Sequence, residues 1–152
     1  MSYEDQIPYV ESTIIMTTVR VVAPFVLTLG LFVMFHGAGS AGGGFQGGVV
    51  VGSVILMLAF AFGIEAVRDW INPAAVLGVI GLGVGTFVAI GLGSVALGGA
   101  FLEYGRYGSL TVVKYSIELV ELGIGAIVTG VVVGLFFLIA GGYADAEEEG
   151  SA

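Results

Sequence analysis

The chain has 152 residues, 57% of them hydrophobic and 11% charged, with a mean hydropathy of +1.07 and a formal net charge of −8. Soluble domains carry about 25% charged residues, so the composition excludes an ordinary water-soluble enzyme and points to a single unit that is nearly all membrane. An acidic balance with a single lysine argues against nucleic-acid or anionic-lipid binding, and the absence of cysteine removes disulfides and thiolate metal sites.

Residues 1–12 are polar, with Glu4, Asp5, Glu11 and Pro8, and read as an interfacial lead-in; they lack the basic region and small-residue cleavage site of a signal peptide. The first apolar run predicts a spanning helix over 13–35. It contains Pro24, which membrane helices tolerate when neighbours re-satisfy the freed backbone group. It also contains Arg20, shallow enough for its guanidinium to snorkel to the interface.

Residues 36–48, HGAGSAGGGFQGG, hold seven glycines between two apolar runs. Glycine loses more backbone freedom on folding than any other residue, so such density is kept where the backbone takes left-handed geometry or another segment comes very close. Gly37 to Gly42 match G-x-G-x-x-G letter for letter, but the dinucleotide reading needs a preceding strand in a βαβ unit, and a membrane helix precedes here. Gly44, Gly48 and Gly52 instead form two overlapping G-x-x-x-G steps, a helix-packing signal. The second span is predicted over 47–62, short enough that part of the glycine turn dips into the membrane.

A polar loop follows over 63–72, with Glu65, Arg68 and Asp69, and Trp70 placed as an interfacial anchor. Pro73 suits a first helical turn. The third span, 74–97, has no charge and carries Gly81 and Gly85 at packing spacing. The longest connection, 98–115, contains Tyr104, Tyr107 and Tyr115 near Glu103, Arg106 and Lys114, as in an interfacial belt. The fourth span is predicted over 116–140, with Gly130 and Gly134 again four apart, and 141–152 reads as an acidic disordered tail. The fold class is therefore all-α and integral to the membrane, with four transmembrane helices and a Gly-rich turn between the first two. Four spans put both ends of the chain on one side, here called side A, and the glycine turn and the 98–115 connection on side B. Each side has two Arg or Lys residues near its membrane ends, so charge bias leaves the orientation open.

Glu118 and Glu121 lie three apart on one face of the fourth helix. An ionisable side chain within a span marks an ion or proton pathway by default; the competing reading is an interfacial carboxylate favoured by a helix N-terminus. Depth favours the second reading for Glu118 and the first for Glu121. His36 lies near the same side and is Glu121's natural mate for proton relay, against the plainer role of capping the first helix. One His and two carboxylates make no recognisable metal-ligand spacing, and Ser40 has no orienting acid for nucleophilic catalysis. No catalytic residue and no cofactor is assigned.

The stretch Gly42-Gly43-Gly44-Phe45-Gln46-Gly47-Gly48, opening a helix after a His- and Gly-containing spacer, resembles the MnhB/MrpB subunit family of the multisubunit monovalent cation (Na+)/proton antiporters. The segment ELVELGIGAIVTG, from Glu118 to Gly130, resembles that family's last helix. The similarity covers about residues 10–140. Two departures stand out: Ala41 occupies the place of the family's Pro, and Ala38 falls at the position of its His. The resemblance implies a non-catalytic, multi-pass subunit of a Na+ (or K+)/H+ antiporter in the plasma membrane, partnered by the other membrane subunits. Gly42, Gly43, Gly44, Phe45, Gly47 and Gly48 would form its packing turn, and Glu121, Glu118 and His36 would border the ion path. Two alternatives stay open: the equivalent subunit of a redox-driven ion-pumping complex of the membrane-bound hydrogenase type, and a purely structural membrane protein.

Overall fold

The computed structural model describes residues 12–37, 39 and 42–150, with side chains through 141. The chain forms α1 (Thr13–Phe35), α2 (Gly44–Phe62), a short α3 (Ile64–Trp70), α4 (Pro73–Ala96) and α5 (Leu110–Gly150), with one turn of 3-10 helix at Tyr104–Tyr107 before α5. Among the described residues there is no strand. Among the described residues, four segments are long and apolar enough to cross a membrane: α1, α2, α4 and the Leu110–Gly141 part of α5. The all-α, four-span architecture read from the sequence is the architecture observed. The polar lead-in expected over 1–12 lies, apart from Ser12, outside the described residues, as do Ala38, Ser40 and Ala41 of the glycine turn.

Local chemistry sets the ends of the elements. Ser12 caps α1, its Oγ accepting from the Ile15 amide at 3.4 Å, and Asn72 caps α4 by accepting from Ala74 N–H at 2.9 Å, with Pro73 in the first turn. α2 begins at Gly44, three residues before its predicted start. Gly42 and Gly43 hold φ of +137° and +145°, a conformation that stops the preceding backbone short of helix and that side chains disfavour. From Gly44 on, close neighbours compensate glycine's poor helix propensity. The 63–72 loop contains α3, entered through Gly63 at φ +98°.

α5 departs most from its predicted limits. It starts at Leu110 rather than 116, with Ser109 Oγ accepting from the Val112 amide. Its backbone stays helical to Gly150, where the sequence reading places a disordered tail from 141. The Gly141–Gly142 pair does not end the helix, because the alanines and glutamates beyond it are strong helix formers.

The helices form a row in the order α1, α2, α5, α4, with α1 also touching α5 and α4 contacting neither α1 nor α2 among the described residues. α1 and α2 make an antiparallel hairpin in which Gly47 lies against Gly30 and Met34. α2 and α5 run parallel: Gly44 faces Glu121, Gly48 faces Gly125, and Gly52 faces Thr129 and Val132. α4 and α5 are antiparallel, Gly83 meeting Gly123 and Ile80 meeting Gly130. A small core of Val19, Ala23, Val54 and Ala61 closes the α1–α2 hairpin. At the side A end Arg20 lies over the Phe62 ring, 5.1 Å from its centroid, so its charge stays at the membrane boundary. Phe25, Leu77, Leu82 and Leu138 are each more than two-thirds exposed, as suits helices solvated by hydrocarbon rather than water.

Candidate functional site at the glycine turn

The α2–α5 seam ends on side B in a pocket of backbone around one carboxylate. A Cβ added at Gly37 would collide with the Glu121 carboxylate, and one at Gly43 would stand 3.3 Å from Glu121 Oε1. Glu121 Oε2 is buried. The glycines thus leave the room in which the carboxylate lies. Directly beneath, a Cβ at Gly44 would overlap the Glu121 carbonyl oxygen, and one at Gly48 would come within 2.7 Å of the Gly125 carbonyl. Neither position admits even alanine without moving a helix. One turn deeper, Thr129 Oγ1 donates to the Gly48 carbonyl at 2.9 Å, a hydrogen bond between helices eighty-one residues apart in sequence.

The predicted site residues are not all gathered here. Glu121 is at the centre, walled by Gly37, Gly43 and Gly44. Glu118 faces Lys114 one turn earlier on α5, with 3.8 Å between Nζ and Oε1, which is the interfacial role. His36 is the C-cap residue of α1. Its Nδ1 lies 2.9 Å from the Phe32 carbonyl, to which it donates, and its ring stacks on Phe32 with centroids 4.2 Å apart. These are the contacts of a capping residue, and the neighbouring Gly37 keeps His36 next to the Glu121 pocket. Within the glycine motif, Gly44 and Gly48 face α5 and Gly47 faces α1, while Gly42 lies against Val33 of α1. Phe45 points away, 61% exposed, so packing inside this chain does not use it. Among the described residues no three of His, Asp and Glu are gathered around one point that a metal ion would occupy.

Two participants escaped sequence reasoning. Tyr104 heads the 3-10 turn that packs on α5. Its hydroxyl is held above the usual tyrosine range, first by burial, then by the negative charge of Glu121 and by Tyr107. Its turn packs on α5, the helix that carries Glu121. The connection that carries Tyr104 is well tied down. Ser94 Oγ bonds the Gly91 and Ala100 carbonyls, the Tyr107 hydroxyl donates to the Ile90 carbonyl, and the Glu103 carboxylate accepts from the Ala100 amide at 2.7 Å and Arg106 Nε at 3.1 Å. The second is Thr129. Its signal was available, because Glu121, Gly125, Thr129 and Val133 repeat every four residues, in register with Gly44, Gly48 and Gly52.

Residues 14–134 match the family described as a domain related to the MnhB subunit of Na+/H+ antiporter. A Staphylococcus haemolyticus protein named as antiporter subunit mnhB2 is 30% identical over 139 residues, covering 87% of this chain and 97% of that protein. The mnhB2 counterpart from Staphylococcus aureus strain MRSA252 is 32% identical over the same shares. A Bacillus subtilis protein named as a Na(+)/H(+) antiporter subunit is 31% identical over 91 residues, 60% of this chain and 63% of that protein.

Proposed function

The chain belongs to the family of domains related to the MnhB subunit of Na+/H+ antiporters, and on that premise we propose that it is a non-catalytic, multi-pass plasma-membrane subunit of a multisubunit Na+ (or K+)/H+ antiporter. Its partners are the other membrane subunits of that complex. Its glycine-lined seams serve assembly, and Glu121 borders the ion path. The observation that carries the ion-path assignment is the lodging of the Glu121 carboxylate against Gly37 and Gly43, with Oε2 buried, at the side B end of the α2–α5 seam. Placing a carboxylate within a span costs a few kcal/mol on insertion scales, and a seam built only for packing gains nothing from it. Glu121 is the residue to test first, because its carboxylate is the one lodged among the glycines of the turn.

The experiment is cation/proton exchange in everted membrane vesicles carrying the whole complex with Glu121→Gln, together with a check that all subunits still co-purify. Exchange falls while the complex remains whole. Normal exchange in a whole complex would remove Glu121 from the path.

A further inference from the structure

On side A, away from Glu121, the α4–α5 seam opens into a cleft of about 290 Å³. Val76, Leu77 and Ile80 of α4 form one wall, and Val133, Phe137 and Leu138 of α5 the other. The cleft exists because Gly134 contributes no side chain: a Cβ there would meet nothing within 4 Å. Leu77 and Leu138 at its rim are 70% and 73% exposed, so it opens outward. The mouth holds Arg68 of α3, the one charged group among the described lining residues, whose guanidinium also lies beside Gly141. Arg68 is held only loosely by Glu65, at 3.9 Å, far longer than a charge-assisted hydrogen bond of about 2.8 Å. Trp70, 78% exposed two residues on, marks this level as the membrane interface.

We infer that this cleft binds a zwitterionic phospholipid, with one acyl chain between α4 and α5 and its phosphate on Arg68. The apolar walls and the charges at the mouth both favour that occupant. A single acyl chain is a slim apolar body suited to a cleft walled by Val76, Leu77, Ile80, Val133 and Phe137. A guanidinium at the headgroup level is a ready phosphate donor. Glu65 and Asp69 flank Arg68 in the same short helix, placing negative charge beside the cation, as an amine-bearing headgroup requires and as a net anionic one does not. The inference stands independently of the ion-path assignment.

The test uses the assembly extracted from native membranes in mild detergent, washed free of loosely held lipid and offered phosphatidylethanolamine, phosphatidylglycerol or diacylglycerol. Lipid bound per copy of this chain is counted by native mass spectrometry. The wild type retains one more phosphatidylethanolamine per copy than Gly134→Leu, which fills the cleft where a side chain meets nothing. Leu77→Trp, filling from the rim, gives the same loss and guards against misfolding of the first variant. Arg68→Gln lowers retention at least fivefold, and diacylglycerol is not kept. Equal lipid counts in wild type and both filling variants would overturn the inference. So would phosphatidylglycerol held as tightly as phosphatidylethanolamine, or photo-leucine at position 138 cross-linking to another polypeptide instead of lipid.

Discussion

At the scale of single residues, Gly44 and Thr129 show two different kinds of dependence on the same seam. Gly44→Ala places a methyl group on the Glu121 carbonyl, an overlap that only separation of α2 from α5 relieves. Overpacking of this kind costs about 1–3 kcal/mol or more. The variant is expected to lower the thermal unfolding midpoint of the detergent-solubilised complex and the yield of assembled subunits, with Gly44→Leu abolishing assembly. Thr129→Val keeps the shape but removes the hydrogen bond to the Gly48 carbonyl. Such interhelical bonds average about 0.6 kcal/mol in membranes, so only a small drop in the midpoint is expected. A drop as large as that of Gly44→Ala would show that the hydroxyl does more than bridge the helices. Glu121 was legible in the sequence because a carboxylate between Val120 and Leu122 is conspicuous in any apolar run. Its walls were not legible: Gly37 and Gly43 reach it only through a turn with positive φ at Gly42 and Gly43, and glycine letters alone do not say which way such a turn folds.

Among the elements, α4 and the connection after it divide what pattern can and cannot reveal. The run of α4 was legible to within a residue at each end, since Asn72-Pro73 starts it and unbroken apolar sequence sustains it. Spacing did not reveal the face it packs within the chain. Gly81 and Gly85 stand four apart yet have open space around them, while Gly83, between them, touches Gly123. Gly83→Leu is therefore expected to disrupt the α4–α5 pair and Gly85→Leu to leave it intact, as read by protease resistance of the solubilised subunit. The connection predicted over 98–115 read as a belt of tyrosines, because a polar stretch shows its composition and not its hydrogen bonds. Glu103 holds it by accepting from Ala100 and Arg106, and the Ala100 amide, more than Arg106, holds its pKa below the usual carboxylate range. A depressed carboxylate stabilises the fold above its ordinary pKa of about 4.3, and that contribution is lost as pH falls through the lower folded value. Glu103→Ala should thus speed amide exchange at Ala100 several-fold near neutral pH. An unchanged rate would mean that Ser94 and Tyr107 hold the turn by themselves.

For the whole molecule, hydropathy alone carried the number of spans, because in hydrocarbon the backbone must satisfy itself within each helix. The order of the helices was not available from it: nothing in the four apolar runs says that α5, last in the chain, lies between α2 and α4. Among the described residues, α4 is tied to the other spans through α5 alone. Purification from native membranes in mild detergent, with mass spectrometry of the co-purifying proteins, is expected to recover large hydrophobic antiporter-like subunits without iron–sulfur or nickel partners. Recovery of redox subunits would reassign the complex. The glycine contacts have a mechanical consequence as well. Where Gly44 meets the Glu121 carbonyl, Gly48 meets Gly125 and Gly83 meets Gly123, backbone rests on backbone, with no side-chain rotamers between them to absorb a displacement. Such a joint has little compliance. The stiffest joints of this small protein are therefore those at which α5 meets its two neighbours, α2 and α4.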